Sequence, residues 1–342
     1  MRRFWTPGAW PCRSACSRST WRSSPDVFLH DYHFDPTYGY GEVDLLGVGL
    51  PEATPDFDTF WQSTFEQNTD VDLNVHVEPV DSADSRYNLS IATFDTLGGY
   101  RTGAWVVYPK SGDITTGFVT GHGYGGRSEP EYALLAENAA AIFPCAPGLG
   151  LSAANHLPDS AQSHVVHGLD SRDDYLIRPC VSAIWSAATL LLDLFPDIRS
   201  RLFFTGGSFG GGLGALALPW DRRFTRGFLK VPTFGNHPLR VVCPCEGSGK
   251  AVAEYVGRDP GAMTTLAYYD AATAASRIEI PIFGAPALFD AKVPPPGQFA
   301  VTNALPQNRQ IRILQAGHFS YPDQAQEDAD IREALLTWFE PA

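Results

Sequence analysis

Apolar residues along the chain fall into two rhythms, short continuous runs and longer stretches with one apolar face, and their order predicts the elements. A first helix is expected from Asp56, as N-cap, because Phe57, Phe60, Trp61 and Phe65 recur near helical spacing. Residues 73–109 then read as opening antiparallel strands, at 75–79, 87–91 and 103–109, with Leu97-Gly-Gly99 as a turn. From residue 116 onward, strand, glycine loop and helix repeat. A buried strand at 116–120 runs into Gly121-His-Gly-Tyr-Gly-Gly126 and a helical stretch at 132–138, and another strand follows at 140–144. The segment 174–194 keeps Ile177, Val181, Ile184, Trp185, Ala188 and Leu192 on one helical face, with Pro179 either kinking it or marking its start. Strands are expected at 201–205, 227–231, 280–285 and 310–314, separated by helical stretches, and a helix at 331–339 closes the chain. This alternation specifies an α/β fold with a mainly parallel central sheet and helices on both faces.

With 342 residues the chain can form one large decorated domain, here assigned to residues 73–342, with residues 26–72 as an N-terminal extension packing on the core. Residues 1–25 stand apart, with five arginines and no acid. Arg2-Arg3 invites an export reading, but no apolar stretch follows, so this segment is expected to be a disordered or non-native basic leader. A net charge of −13 would repel DNA or RNA, and no apolar run approaches bilayer length, so neither nucleic acid nor a membrane is an expected partner. Six scattered cysteines form no C-x-x-C pair and no zinc-ligand spacing, so no metal is expected. Cys243-Pro-Cys245 would close a disulfide only with strain, and reduced thiols in a cytoplasmic protein fit this usage.

The chemistry concentrates at Gly206-Gly-Ser-Phe-Gly210, between the apolar run Leu202-Phe-Phe204 and the small-residue stretch Leu213-Gly-Ala-Leu-Ala-Leu218. A sharp strand-to-helix turn leaves no room for side chains beside its serine, so glycines flank Ser208 while its hydroxyl is pushed outward. The bare pentapeptide arises easily in a glycine-rich chain; its strand and helix context gives it meaning. A serine hydroxyl needs a base within reach, and the base needs an orienting carboxylate. His318, in the loop directly after the strand at 310–314, fits the base, and Asp290, after the strand-like run from residue 281 and before the stop at Pro294-Pro-Pro296, fits the carboxylate. Asp270, Glu279 and Asp323 compete for that role but close no predicted strand. His122 precedes the elbow on a different loop and is expected to brace the turn. Backbone N–H groups of Phe209 and Tyr124 are the expected oxyanion donors.

Together these residues resemble the acetyl xylan esterase and cephalosporin C deacetylase family of α/β hydrolases, over the chain from about Asp56 onward. The resemblance is carried by Phe57-Asp-Thr-Phe-Trp61, His122-Gly-Tyr124, Gly206-Gly-Ser-Phe-Gly-Gly-Gly212, Val231-Pro232 before Arg240, Asp290 with Pro294-Pro295, and Gly317-His318. It implies the α/β-hydrolase fold, Ser208 as nucleophile, His318 as base, Asp290 as orienter and Tyr124 with Phe209 as oxyanion donors. The implied reaction is deacetylation of small acetylated sugars or related esters through an acetyl-serine, with no cofactor and with assembly into a homo-oligomer. Three motifs depart from the family pattern. Phe209 stands for a glutamine, which lowers pocket polarity; Pro147-Gly-Leu149 stands for Arg-Gly-Gln; and Phe319 stands for a glutamate. Other readings of the same scaffold are a peptidase, lactonase or thioesterase, or a binding protein without turnover.

Overall fold

The computed structural model of the protein describes residues 28–133 and 137–340. The expected basic leader and the centre of the expected helix at 132–138 lie outside the described residues. Among the described residues nine strands form one sheet: β1 (His76–Val80), β2 (Tyr87–Thr96), β3 (Tyr100–Pro109), β4 (Thr116–Thr120), β5 (Ala139–Pro144), β6 (Leu202–Gly207), β7 (Phe224–Lys230), β8 (Ile282–Ala285) and β9 (Gln310–Ile311). Their spatial order is β1-β2-β3-β5-β4-β6-β7-β8-β9. The pairs β1–β2, β2–β3 and β3–β5 are antiparallel, and every neighbouring pair from β5 to β9 is parallel. Because β4 connects to one side and β6 to the other, their carboxyl ends border the crevice where ligands bind in such sheets.

Side chains alternate across the sheet as a pleat requires. Val119, Phe204, Leu229 and Ile282 point into the larger core, and Phe118, Phe203, Phe228 and Phe283 into the smaller one. The larger core is covered by the helices Ile177–Leu194, Phe209–Ala217 and Ala271–Ala275. The smaller is closed by Gln324–Phe339, whose Phe339 ring lies 5.2 Å from Phe118 and 4.9 Å from Phe203. The helix Phe57–Thr69 packs its Trp61 edge-on against Trp185, with centroids 6.3 Å apart.

Several local expectations need correction. Asp56 occupies the N-cap position but makes no capping hydrogen bond; its carboxylate accepts from Tyr268 Oη (2.6 Å) and Arg172 (2.8 Å), so a tertiary contact wins over the local one. Of the two readings of Pro179, the mark of a start fits: the helix begins at Ile177, later than residue 174, and Pro179 is its third residue, in the first turn, where a missing N–H breaks no ladder bond. This helix also has the length and mean hydropathy, 1.3, of a membrane-crossing segment, contrary to the expectation that no run came near it; 78% of it is buried inside the fold. Pro294-Pro-Pro296 is not a stop but the start of the helix Pro295–Ala304, since proline is pre-set for the first helical turn. Finally, the strand expected at 310–314 pairs only through Ile311, and bridging resumes at Leu314 opposite Ala287, because the intervening Pro286 has no N–H to give the ladder.

Candidate active site

Ser208 sits between the last residue of β6 and the first of the helix Phe209–Ala217, with φ 54° and ψ −116°. This backbone is strained for a residue with a side chain, and its neighbours hold it there. The Ser208 N–H donates to the Lys230 carbonyl (2.8 Å), and its own carbonyl accepts from Gly212 (3.0 Å) and Thr233 (3.1 Å). A Cβ on Gly206 would lie 2.6 Å from the Gly210 carbonyl oxygen, and one on Gly210 would lie 2.8 Å from the backbone of Gly121. Both glycines therefore permit contacts between backbones. At Gly207 the nearest atom would be 3.8 Å away, so only the first of the two glycines before Ser208 is sterically required.

The loops after β8 and β9 bring the two other expected residues to this turn. His318 Nε2 is 3.0 Å from Ser208 Oγ, and His318 Nδ1 is 2.8 Å from Asp290 Oδ2. A carboxylate can only accept, so Nδ1 carries the proton and Nε2 presents its lone pair to the serine hydroxyl. The Asp290 carboxylate is fully buried and saturated with donors. Its Oδ1 accepts from the N–H groups of Lys292 (2.8 Å) and Val293 (3.0 Å), and its Oδ2 from Gln298 Nε2 (3.0 Å) as well as from His318. Gln298 in turn accepts from Ala287 N (2.8 Å), tying the acid to the end of β8. Sequence reasoning missed Gln298 because reading the prolines as a stop concealed the helix that carries it.

The competing acids are engaged elsewhere. Asp270 caps the helix Ala271–Ala275, accepting from Ala272 and Thr273, and also takes the His237 N–H. Glu279 pairs with Arg222 (2.9 Å) at the surface, and Asp323 stands at the N-terminus of Gln324–Phe339.

Phe209 opens its helix, so its N–H belongs to the first turn and has no acceptor within the helix. The loop carrying Tyr124 passes beside the serine: a Cβ on Gly123 would lie 3.8 Å from Ser208 Cβ. The Phe209 ring is fully buried and stacks on Tyr124, with centroids 4.0 Å apart and planes 17° apart. Phe209 therefore packs behind the turn and is not among the residues lining the cleft, so the expected fall in pocket polarity does not come from its ring. Tyr124 Oη lies 3.3 Å from His164 Nδ1, and His164 Nε2 lies 2.8 Å from the Pro147 carbonyl. Since that carbonyl accepts, Nε2 bears the proton and Nδ1 accepts from the tyrosine. His164 thus links the loop at Tyr124 to the segment Pro147-Gly-Leu149; no sequence motif marked it. His122 is buried, donating from Nδ1 to the Gly123 carbonyl (2.7 Å) and accepting at Nε2 from Ala146 N–H (3.0 Å). Burial lowers the pKa of both His122 and His164 to about 4, so both rings are neutral braces.

Ser208 and His318 open into a cleft of about 830 Å³. Its walls mix polar and apolar groups, among them Lys230, ion-paired to Asp328 (2.8 Å), together with Phe228 and Phe319. Tyr321 on the same rim donates to Glu327. Among the described residues, no group of three or more His, Cys, Asp or Glu side chains is placed to hold a metal ion. The four described cysteines, Cys145, Cys180, Cys243 and Cys245, are buried thiols.

The fold is shared with solved esterases. An acetyl xylan esterase from Paenibacillus sp. R4 superposes with a TM-score of 0.76 at 23% identity, covering 86% of this chain and 99% of that one. Acetyl xylan esterase 1 from Thermoanaerobacterium sp. JW/SL YS485 gives 0.77 at 19% identity, covering 89% and 99%. An acylaminoacyl peptidase from Pyrococcus horikoshii matches less well, at 0.56 and 13% identity, over 79% of this chain and 42% of that one. The acetyl xylan esterase (AXE1) family itself matches residues 49–334. The chain therefore belongs to the acetyl xylan esterase family, with the α/β-hydrolase fold, and is a carboxylic ester hydrolase of the carbohydrate-deacetylating kind.

Proposed function

We propose that the protein releases acetate from small acetylated carbohydrates through an acetyl-Ser208 intermediate. The observation that carries this reading is the unbroken chain from Ser208 Oγ to His318 (3.0 Å) and on to Asp290 (2.8 Å), in a partly polar cleft of about 830 Å³, a size suited to a small ligand. Ser208 Oγ attacks the acetyl carbonyl carbon while His318 Nε2 takes the hydroxyl proton. Collapse of the tetrahedral intermediate breaks the bond to the sugar oxygen, which leaves with that proton as an alcohol. Water then attacks the acetyl-serine, with His318 again accepting a proton and returning it to Ser208 Oγ as acetate departs.

Asp290 keeps the imidazole in the tautomer that this requires and stabilises the imidazolium formed midway. The oxyanion of each tetrahedral intermediate is received by the N–H groups of Phe209 and Tyr124, and the positive end of the helix Phe209–Ala217 adds to the field there. Lys230, Asp328 and the other polar groups of the cleft offer partners for sugar hydroxyls.

The test compares wild type with Ser208→Ala on acetylated xylo-oligosaccharides, sugar acetates, p-nitrophenyl acetate and longer acyl esters, together with labelling by a fluorophosphonate. Acetate release confined to short acyl groups, a label that maps to Ser208, and loss of both in folded Ser208→Ala are expected. Turnover surviving in that variant would overturn the nucleophile, and preference for peptide amides would overturn the substrate class.

A further inference from the structure

The segment from Phe28 to Tyr38 carries aromatic or imidazole rings at 28, 30, 32, 33, 34 and 38, and it lies across the two loops that deliver Asp290 and His318. Phe28 packs against Phe289 (centroids 5.2 Å apart), Phe319 (5.4 Å) and Tyr321 (5.4 Å). Tyr32 reaches the same pair, 6.5 Å from Phe289 and 6.4 Å from Phe319. Phe289 immediately precedes the expected orienting acid, and Phe319 immediately follows the expected base. Their own rings are 4.9 Å apart. A backbone bond adds to the aromatic contacts: the Asp290 N–H donates to the Pro36 carbonyl (3.2 Å). Further along, Tyr38 Oη anchors the segment by donating to the Pro244 carbonyl (2.7 Å).

These loops need outside support. The β8–β9 ladder has ended before either functional side chain, and beyond it the loops are joined by Leu288 N–H to the Leu314 carbonyl (3.0 Å) and Gly317 N–H to the Phe289 carbonyl (2.8 Å). His318 itself has φ 48°, a left-handed conformation that must be maintained by its surroundings. Phe319 offers Phe28 and Tyr32 an aromatic surface directly beside His318.

We propose that residues 28–38 form a strap that positions the acid and base, with Phe28 and Tyr32 acting through Phe289 and Phe319 to hold Asp290 against His318. Neither strap residue reaches the reacting atoms. Both are positioning residues, and the inference rests on the roles given above to Ser208, Asp290 and His318.

The experiment is a double-mutant cycle on the full chain, joining Phe28→Ala/Tyr32→Ala with Asp290→Asn, and reading kcat and KM for p-nitrophenyl acetate. A displacement of about 1 Å at such a pair costs on the order of 100-fold, so the strap variant is expected to lose about ten- to a hundred-fold in kcat with KM within about twofold. The aromatic replacements Phe28→Tyr and Tyr32→Phe are expected to restore kcat. In the Asp290→Asn background the same strap change is expected to cost less than about threefold, because the pairing it protects is already gone.

Wild-type kcat in the folded strap variant would overturn the proposal. So would an equal loss in both backgrounds, which would make the strap a support of general stability. If the double replacement does not fold, Tyr32→Ala alone is carried through the same cycle, and the same two results would overturn the strap. Full activity in Asp290→Asn by itself would instead overturn the catalytic assignment, a separate arm of the cycle.

Discussion

Replacing Asp290 with asparagine removes one charge and changes one atom, and the surrounding donors decide how the new amide sits. An asparagine nitrogen at the Oδ1 position would face two backbone N–H groups, those of Lys292 and Val293. At the Oδ2 position it would face the Gln298 amide and His318 Nδ1. Gln298 cannot turn over to accept, since its oxygen holds Ala287 N–H (2.8 Å) and its nitrogen donates to the Val293 carbonyl (2.6 Å). The second placement therefore opposes one fixed donor instead of two, and each such conflict costs about 1–3 kcal/mol.

With nitrogen toward His318, the imidazole must accept at Nδ1 and carry its proton on Nε2, facing Ser208, where it cannot take the hydroxyl proton. That tautomer preference alone is worth roughly 5- to 150-fold, and loss of the charge that stabilises imidazolium adds to it. We expect kcat/KM to fall by about 10³–10⁴, equivalent to about 4–5.5 kcal/mol. Steady-state hydrolysis of p-nitrophenyl acetate, with folding followed by circular dichroism, measures it. A folded variant within tenfold of wild type would refute the reasoning.

Gly210→Ala drives a Cβ into the backbone of Gly121 and His122, and is expected to cost about 1–3 kcal/mol in urea unfolding as well as activity, because the loop pushed away carries Tyr124. His164→Phe keeps the ring but loses the acceptor for Tyr124 Oη, so kcat should fall several-fold with little change in KM; an unchanged kcat would remove His164 as a brace. Burial lowers His122 and His164 to about 4 and His237 to about 3, against about 6.5 in an unfolded chain, so the unfolded state binds protons first as pH falls. Stability from these rings is complete above about pH 6.5 and is lost as pH drops toward 4, by about 2 kcal/mol each at pH 5; equal urea midpoints at pH 7 and pH 5 would show them not to be buried neutral.

The parts of the site most legible in the sequence were those imposed by steric necessity. Gly206 and Gly210 had to be glycine for backbones to meet, and the strand and helix around Ser208 follow from the apolar run before it and the small residues after it. His318 and Asp290 could be found because each follows a sheet strand, even though β9 is only two residues long. What stayed hidden depends on contacts between distant segments. Phe209 reads as a wall of the pocket until its stacking on Tyr124 is seen, and Asp56 reads as a cap until Tyr268 and Arg172 claim it. Residues 28–38 form no helix and join no strand of the sheet despite alternating rings at 28, 30, 32 and 34, so pattern alone assigned them no more than packing on the core.

The unequal size of the two cores has a dynamic consequence. The smaller one is sealed by Gln324–Phe339, and the first turn of that same helix, with Gln324, Glu327 and Asp328, forms a wall of the cleft. Ile331, Leu335 and Phe339 are its buried anchors, whereas the opposite layer is bound into the large aromatic interior. Amide exchange in the helix should therefore proceed by partial opening, ahead of global unfolding, while the Ser208 turn stays protected.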